Sequence, residues 1–118
     1  MKKKVLIWLD DERTIPDRWL TAIGYPEICD IVVCKTGEHC IQWLENHANE
    51  YNIWIAFDHD LGIGLTGYDV AKYIIGNQIA IKVFSCHSMN PVGAKNIIDL
   101  MTHFNYQYLK NLNDIYYG

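Results

Sequence analysis

The chain has 118 residues, half of them hydrophobic, and a formal net charge of -4 with only 10 Lys and Arg. That is the length of one domain, expected to span 1–118, with enough apolar residues for one packed core. The sparse basic residues argue against a duplex nucleic-acid binder, which normally shows a basic face. No apolar run reaches the ~20 residues of a membrane span. Lys2–Lys4 lead into only five apolar residues before Asp10, so no signal peptide is read and a cytoplasmic location is expected. Cys29, Cys34, Cys40 and Cys86 show no CxxC spacing, which points to reduced, mostly buried thiols rather than a zinc or disulfide framework.

The first strand is expected over Lys4–Leu9, a short β-rich run that closes on Asp10-Asp11-Glu12-Arg13. Pro16 suits the first turn of a short helix, with Thr14 or Ile15 just outside it and Trp19, Leu20 and Ile23 as its apolar stripe. Gly24-Tyr25-Pro26 ends that helix, and Cys29–Cys34 reads as strand two. Thr36 is the expected cap of a helix running to about Asn49, with Glu38 in its first turn and Ile41, Leu44 and Ala48 on one face. Strand three, Ile53–Phe57, runs straight into Asp58-His59-Asp60-Leu61-Gly62. After a glycine-bearing loop, Thr66 and Asp69 have the spacing of a capping box for a helix over Gly67–Gly76. Ile79–Phe84 reads as strand four, followed by a polar bend over Ser85–Met89. Asn90 as cap and Pro91 as first helical residue open a helix that reaches about Phe104 and buries Ala94, Ile97, Ile98 and Met101. Tyr106–Leu109 reads as a short edge strand. Tyr116 and Tyr117 near the end suggest an interface, so an oligomer is an open expectation.

Strands alternating with helices imply βαβ units, a mainly parallel doubly wound sheet and right-handed crossovers. The pattern fits the flavodoxin-like order 2-1-3-4-5, with the last strand or helix short or missing. In that order the crevice lies between strands one and three at their C-terminal ends. Asp10, Asp11 and Asp58 are expected to converge there, with His87 facing the same crevice from strand four.

Three crowded carboxylates stay ionised only beside a cation, or one of them takes up a proton. Hard oxygen ligands favour Mg²⁺ or Mn²⁺, held by Asp10, Asp11 and Asp58, with Asp60 supporting from behind. His59 and His87 are candidates for acid–base work because imidazole titrates near neutral pH. Adjacent residues of an extended chain point to opposite sides, so Asp58 and His59 diverge and one of them faces the metal directly. A helix starting after Ser88 aims free N–H groups at the crevice and offers an anion site. Ser88 and Arg13 add donors there, as does Asn90 where capping does not occupy it. A cation, an anion site and histidines together suggest phosphate-ester chemistry. No Walker loop, Rossmann glycine fingerprint or Ser-His-Asp order is present.

Leu9-Asp10-Asp11-Glu12-Arg13 and the acid ending strand three resemble the receiver domains of response regulators, which hold Mg²⁺ on an acidic pair and accept phosphate on a third Asp. Strand four lacks the ordinary receiver pattern, however, and no Lys-Pro follows strand five; Lys110 is a weak stand-in. A divergent family resembles the chain over nearly its whole length: the cyclic-phosphate processing receiver domains. The resemblance rests on Phe57-Asp58-His59-Asp60-Leu61-Gly62, on Thr66-Gly67-Tyr68-Asp69-Val70-Ala71 and on His87-Ser88-Met89-Asn90-Pro91 with the residues that follow. It implies a receiver-like fold converted to process a cyclic phosphate on a nucleotide or nucleotide-derived metabolite, in a family met in phage and bacterial genomes. The expected activity is a metal-assisted phosphodiesterase with His87, His59 and Asp58 as catalytic residues and Ser88, Asn90 and Arg13 as substrate contacts. The alternatives are a receiver phosphorylated on Asp58 and a non-catalytic binder of a nucleotide signal.

Overall fold

Four strands pair in parallel in the order β2-β1-β3-β4: β1 Lys3–Leu9, β2 Cys29–Cys34, β3 Tyr51–Phe57 and β4 Val83–Cys86. This is seen in a computed structural model that describes residues 2–110. The helices are α1 Asp17–Ile23, α2 Gly37–His47, α3 Gly67–Gly76 and α4 Pro91–His103, with a short 3₁₀ turn over Ala48–Glu50. Beyond β4, Tyr108 bridges Phe84 in parallel, and backbone bonds from the Phe84 N–H to the Gln107 carbonyl and from the Leu109 N–H to the Phe84 carbonyl flank it. The expected edge strand is thus reduced to one bridge, at the position of a fifth strand. Tyr116 and Tyr117, and the expected end of the chain, lie outside the described residues.

Alternation along the strands divides the core. Val5, Ile7 and Leu9 of β1 face one side with Ile53, Ile55 and Phe57 of β3, against Leu44, Val70, Ile74, Ile97 and Met101 of α2, α3 and α4. Leu6, Trp8 and Ala56 face the other side, against Ile23 of α1. Phe57 and Phe84 are fully buried and meet edge to face at 6.2 Å.

Local chemistry explains the helix starts. Thr36 accepts from the His39 N–H. Thr66 and Asp69 form both halves of a capping box. Asn90 accepts from the Gly93 N–H, with Pro91 just inside the helix. Pro16 differs from expectation: it is the cap residue itself, and Asp17 is the first helical residue. Ile23 is the buried member of the α1 stripe, whereas Trp19 and Leu20 are half-buried, as are Ala94 and Ile98 on α4.

Strand four is shifted from Ile79–Phe84 to Val83–Cys86. The apolar run Ile79–Ile81 closes the end of α3 instead: the Ile79 N–H donates to the Ile74 carbonyl, and Gln78 takes a positive φ of 53°. Pairing begins only when the Lys82 N–H reaches the Ile53 carbonyl. Ser85 and Cys86 therefore belong to the strand, and the polar bend starts at His87.

Candidate metal and phosphate site

The ladders continue one bond past the strand ends, and this places the polar residues. The Asp10 N–H donates to the Cys34 carbonyl, the Asp58 N–H to the Leu9 carbonyl, and the His87 N–H to the Phe57 carbonyl. One carboxylate oxygen from each of Asp10, Asp11 and Asp58 then lies within 4.8 Å of the others. Two unit charges at such a separation repel by roughly 3 kcal/mol before screening. The cavity above them, about 500 Å³, is also lined by Glu12, Arg13, Asp60, Gly62, Ser88 and Asn90. Five acidic side chains thus face a single guanidinium.

Asp10 is 2% exposed and accepts four hydrogen bonds. The Glu12 and Arg13 N–H groups donate to Oδ1 at 2.9 and 2.8 Å. Arg13 Nε at 2.9 Å and His87 Nε2 at 3.0 Å share Oδ2. Burial opposes its charge, but the two backbone donors, the guanidinium and the imidazole outweigh it and hold the carboxyl below the usual range. Arg13 also reaches Asp58 Oδ2 at 3.5 Å. Asp58 is buried, and its Oδ1 accepts from the His59 N–H at 2.8 Å. Asp11 has no hydrogen bond to its carboxylate among the described residues and retains full capacity for a cation. An all-oxygen donor set with spare lone pairs on Asp11 and Asp58 fits a hard divalent ion. Arg13 is then the group that competes with such an ion for Asp10 and Asp58.

His87 adjoins the carboxylates but does not line this cavity. Its ring stacks on Trp8, centroids 4.0 Å apart and planes within 3°. Because an ionised carboxylate only accepts, Nε2 carries the proton toward Asp10, and Nδ1 is the bare nitrogen, buried without a partner among the described residues. Burial, more than the counteracting Asp10, pushes the imidazole below its usual pKa, so the neutral ring prevails at pH 7.

His59 lies on the opposite layer. A Cβ on Gly93 of α4 would meet its ring at 2.4 Å, so this glycine is the space the imidazole fills. Its Nδ1 is 2.8 Å from Asp60 Oδ1. That bond holds the Asp60 carboxyl below its usual range, and Asn90 Nδ2 adds to it from 3.3 Å. The structure brings Asp10, Asp11, Asp58, Arg13, Ser88 and Asn90 together; it does not pair the two histidines. Asn90 is occupied, its Oδ1 capping α4 and its amide on Asp60. Ser88 Oγ accepts from the Asn90 N–H at 3.1 Å, and its own proton remains free to donate. Sequence reasoning missed the Trp8–His87 stack and Gly93 as the seat of His59. The alternation that sends Trp8 to the same face as Asp10 was the available signal for the first; no local signal marked the second.

The sequence profile of the cyclic-phosphate processing receiver domain family matches residues 5–103. The chain belongs to that family. No curated protein matches it. Among solved structures, the chain is similar to a CheY-like response regulator receiver domain protein from Methanospirillum hungatei. Identity there is 16% and the TM-score 0.65, with 99% of this chain and 90% of that one covered. A response regulator receiver domain protein from Clostridium thermocellum is 18% identical at a TM-score of 0.64, covering 96% and 87%. The signal receiver domain of a modulated diguanylate cyclase from Desulfovibrio desulfuricans gives 18% and 0.64, covering 99% and 90%. At such identities these likenesses concern the fold: this receiver-family chain shares the parallel α/β architecture of response-regulator receivers. No helix among the described residues is long and apolar enough to cross a membrane.

Proposed function

We propose that this receiver-family protein binds a nucleotide-type cyclic phosphate over its acidic cavity and opens it by metal-assisted hydrolysis. The observation that carries the reading is the gathering of Asp10, Asp11 and Asp58 oxygens within 4.8 Å, in a family described as cyclic-phosphate processing. Asp11 and Asp58, with Asp10 beside them, would hold a Mg²⁺ or Mn²⁺ ion, which when bound would supply charge neutralisation for the phosphoryl group. Arg13 and the Ser88 hydroxyl would take the phosphate oxygens. A water oxygen bonds to phosphorus, one ring P–O bond breaks, and the proton lost by the water ends on the departing oxygen.

The roles of the histidines change from the sequence expectation. A neutral imidazole with its proton on Nε2 and its bare nitrogen buried is a poor acid, so His87 serves as a positioning residue that holds Asp10. His59 does the same for Asp60 from the other layer.

A panel of nucleoside cyclic phosphates and cyclic-phosphate ADP-ribose species, incubated with Mg²⁺ or Mn²⁺ and again with chelator, tests the reading. Metal-dependent ring opening of at least one is expected, lost in Asp58→Asn. No turnover with any of them counts against it. The receiver fold favours one competitor: phosphate transfer to Asp58 from a small donor such as acetyl phosphate. A stable mass gain on Asp58 would establish that reading instead. Lys110 opposes it, because it lines the cavity on the other side of His87 rather than the one holding Asp58.

A further inference from the structure

Behind His87 lies a second cavity, about 370 Å³, that the proposed chemistry does not use. Its lining differs in kind from that of the acidic cavity. Arg18 of α1 and Lys110 after the Tyr108 bridge bring two cations, both exposed. No Asp or Glu lines it among the described residues. Trp19 and Leu109 form apolar walls, and Ser85 of β4 contributes a hydroxyl. Ser85 is 7% exposed, and its Oγ has no hydrogen-bond partner among the described residues. A buried hydroxyl left unpaired costs about 1–3 kcal/mol, so such a group signals a partner that arrives from outside. Burial pushes the Cys86 thiol up, which keeps that neighbour uncharged and adds no repulsion for an anion.

Two cations, a hydroxyl donor and the absence of carboxylates match one ligand chemistry, a phosphoryl group. His87 stands between the two cavities: its Nε2 touches Asp10, which lines the acidic one, while the residue itself lines the second. We infer that the cavity behind His87 is a second phosphate subsite, held by Arg18, Lys110 and Ser85, so that the ligand carries a phosphoryl group besides the cyclic one. The subsite stands on its own lining; the link to the cyclic phosphate rests on the function proposed above.

The test separates the two. Phosphorus NMR titration with inorganic phosphate, in chelator, reports the subsite without any cation. Wild type is expected to bind, and the Arg18→Ala/Lys110→Ala double variant to bind about tenfold more weakly, equivalent to ~1.4 kcal/mol. Ser85→Ala is expected to weaken phosphate binding while raising the melting temperature of the ligand-free protein, because the unpaired buried hydroxyl is gone. No phosphate binding at millimolar concentration, or binding indifferent to the double variant, overturns the subsite. Next, a ribonucleoside cyclic phosphate is compared with the same compound carrying a second phosphate at the other end of its ribose, both with Mn²⁺. The doubly phosphorylated probe should bind more tightly, and the double variant should erase that preference while leaving the single one unchanged. If the single probe plus free phosphate matches the double probe, the subsite takes a separate anion and the claim about the ligand falls. If neither nucleotide binds but phosphate does, the proposed function fails and the subsite stands.

Discussion

Asp10 spends its lone pairs inside the protein, whereas Asp11 spends none on the described residues, and this asymmetry sets what each substitution should do. Arg13 occupies the oxygens a cation would claim. Arg13→Ala should therefore tighten Mn²⁺ binding by about fivefold, the worth of an ion pair whose guanidinium is exposed, at ~1 kcal/mol; titration calorimetry reads this, and weaker binding in the variant would refute the competition. The same variant should lose affinity for phosphate esters. Gly93→Ala pushes a methyl into the His59 ring, 2.4 Å from Cγ, and should cost about 1–3 kcal/mol in denaturant unfolding as the His59–Asp60 bond breaks. A change under half of that would mean the ring moves aside without strain. These residue types were legible in the sequence, because acids ending buried strands stand out. Their hydrogen bonds were not, since the partners of Asp10 include His87, 77 positions away.

At the scale of elements, the capping box of α3 ties stability to the site. Gly67, the first residue of that helix, is pressed against the backbone of Asp58: an added Cβ would sit 1.9 Å from its carbonyl oxygen. Its N–H donates to the His59 carbonyl at 2.8 Å. Thr66→Ala should cost about 1 kcal/mol, checked by urea unfolding. The Asp69 carboxyl is held below its usual range, chiefly by the Thr66 N–H. A depressed folded pKa means the unfolded state binds the proton first. The stabilisation is complete above the unfolded value, near the ordinary 3.8, and fades as pH falls through the folded one. Asp69→Asn should therefore lose stability at neutral pH and show a shallower acid limb, measured by melting between neutral pH and the acid limit. An unchanged acid limb would show that other carboxylates set it. The caps of α2, α3 and α4 were all legible because capping is chemistry between residues three apart. Strand four was displaced because apolar runs ending a helix and opening a strand look alike, and only pairing with β3 distinguishes them.

Over the whole molecule, the acidic cavity is a charge left uncompensated at the top of the sheet, where α/β folds expose the ends of their strands. Folding draws the carboxylates together, so it works against their repulsion, and a bound divalent ion adds its binding free energy to stability. Mg²⁺ or Mn²⁺ at a hundred times its dissociation constant should stabilise wild type by about 2.7 kcal/mol. Asp11→Asn should raise the melting temperature of the metal-free protein and abolish the metal-induced gain. A variant that melts lower without metal would show that repulsion at this site is already neutralised by Arg13.

The sequence alone determined the fold class, the strand order about β1 and β3, the family and the set of acids at the strand ends, because periodicity, caps and acid-terminated apolar runs are written in local residue order. The tertiary structure decided which oxygens remain available, which side of the sheet each histidine takes, and that Ser85 belongs to a second cavity. Those outcomes depend on the direction of each side chain from a strand whose start and register are fixed by pairing with its neighbours. A register is a relation between distant segments, and no stretch of sequence contains it alone.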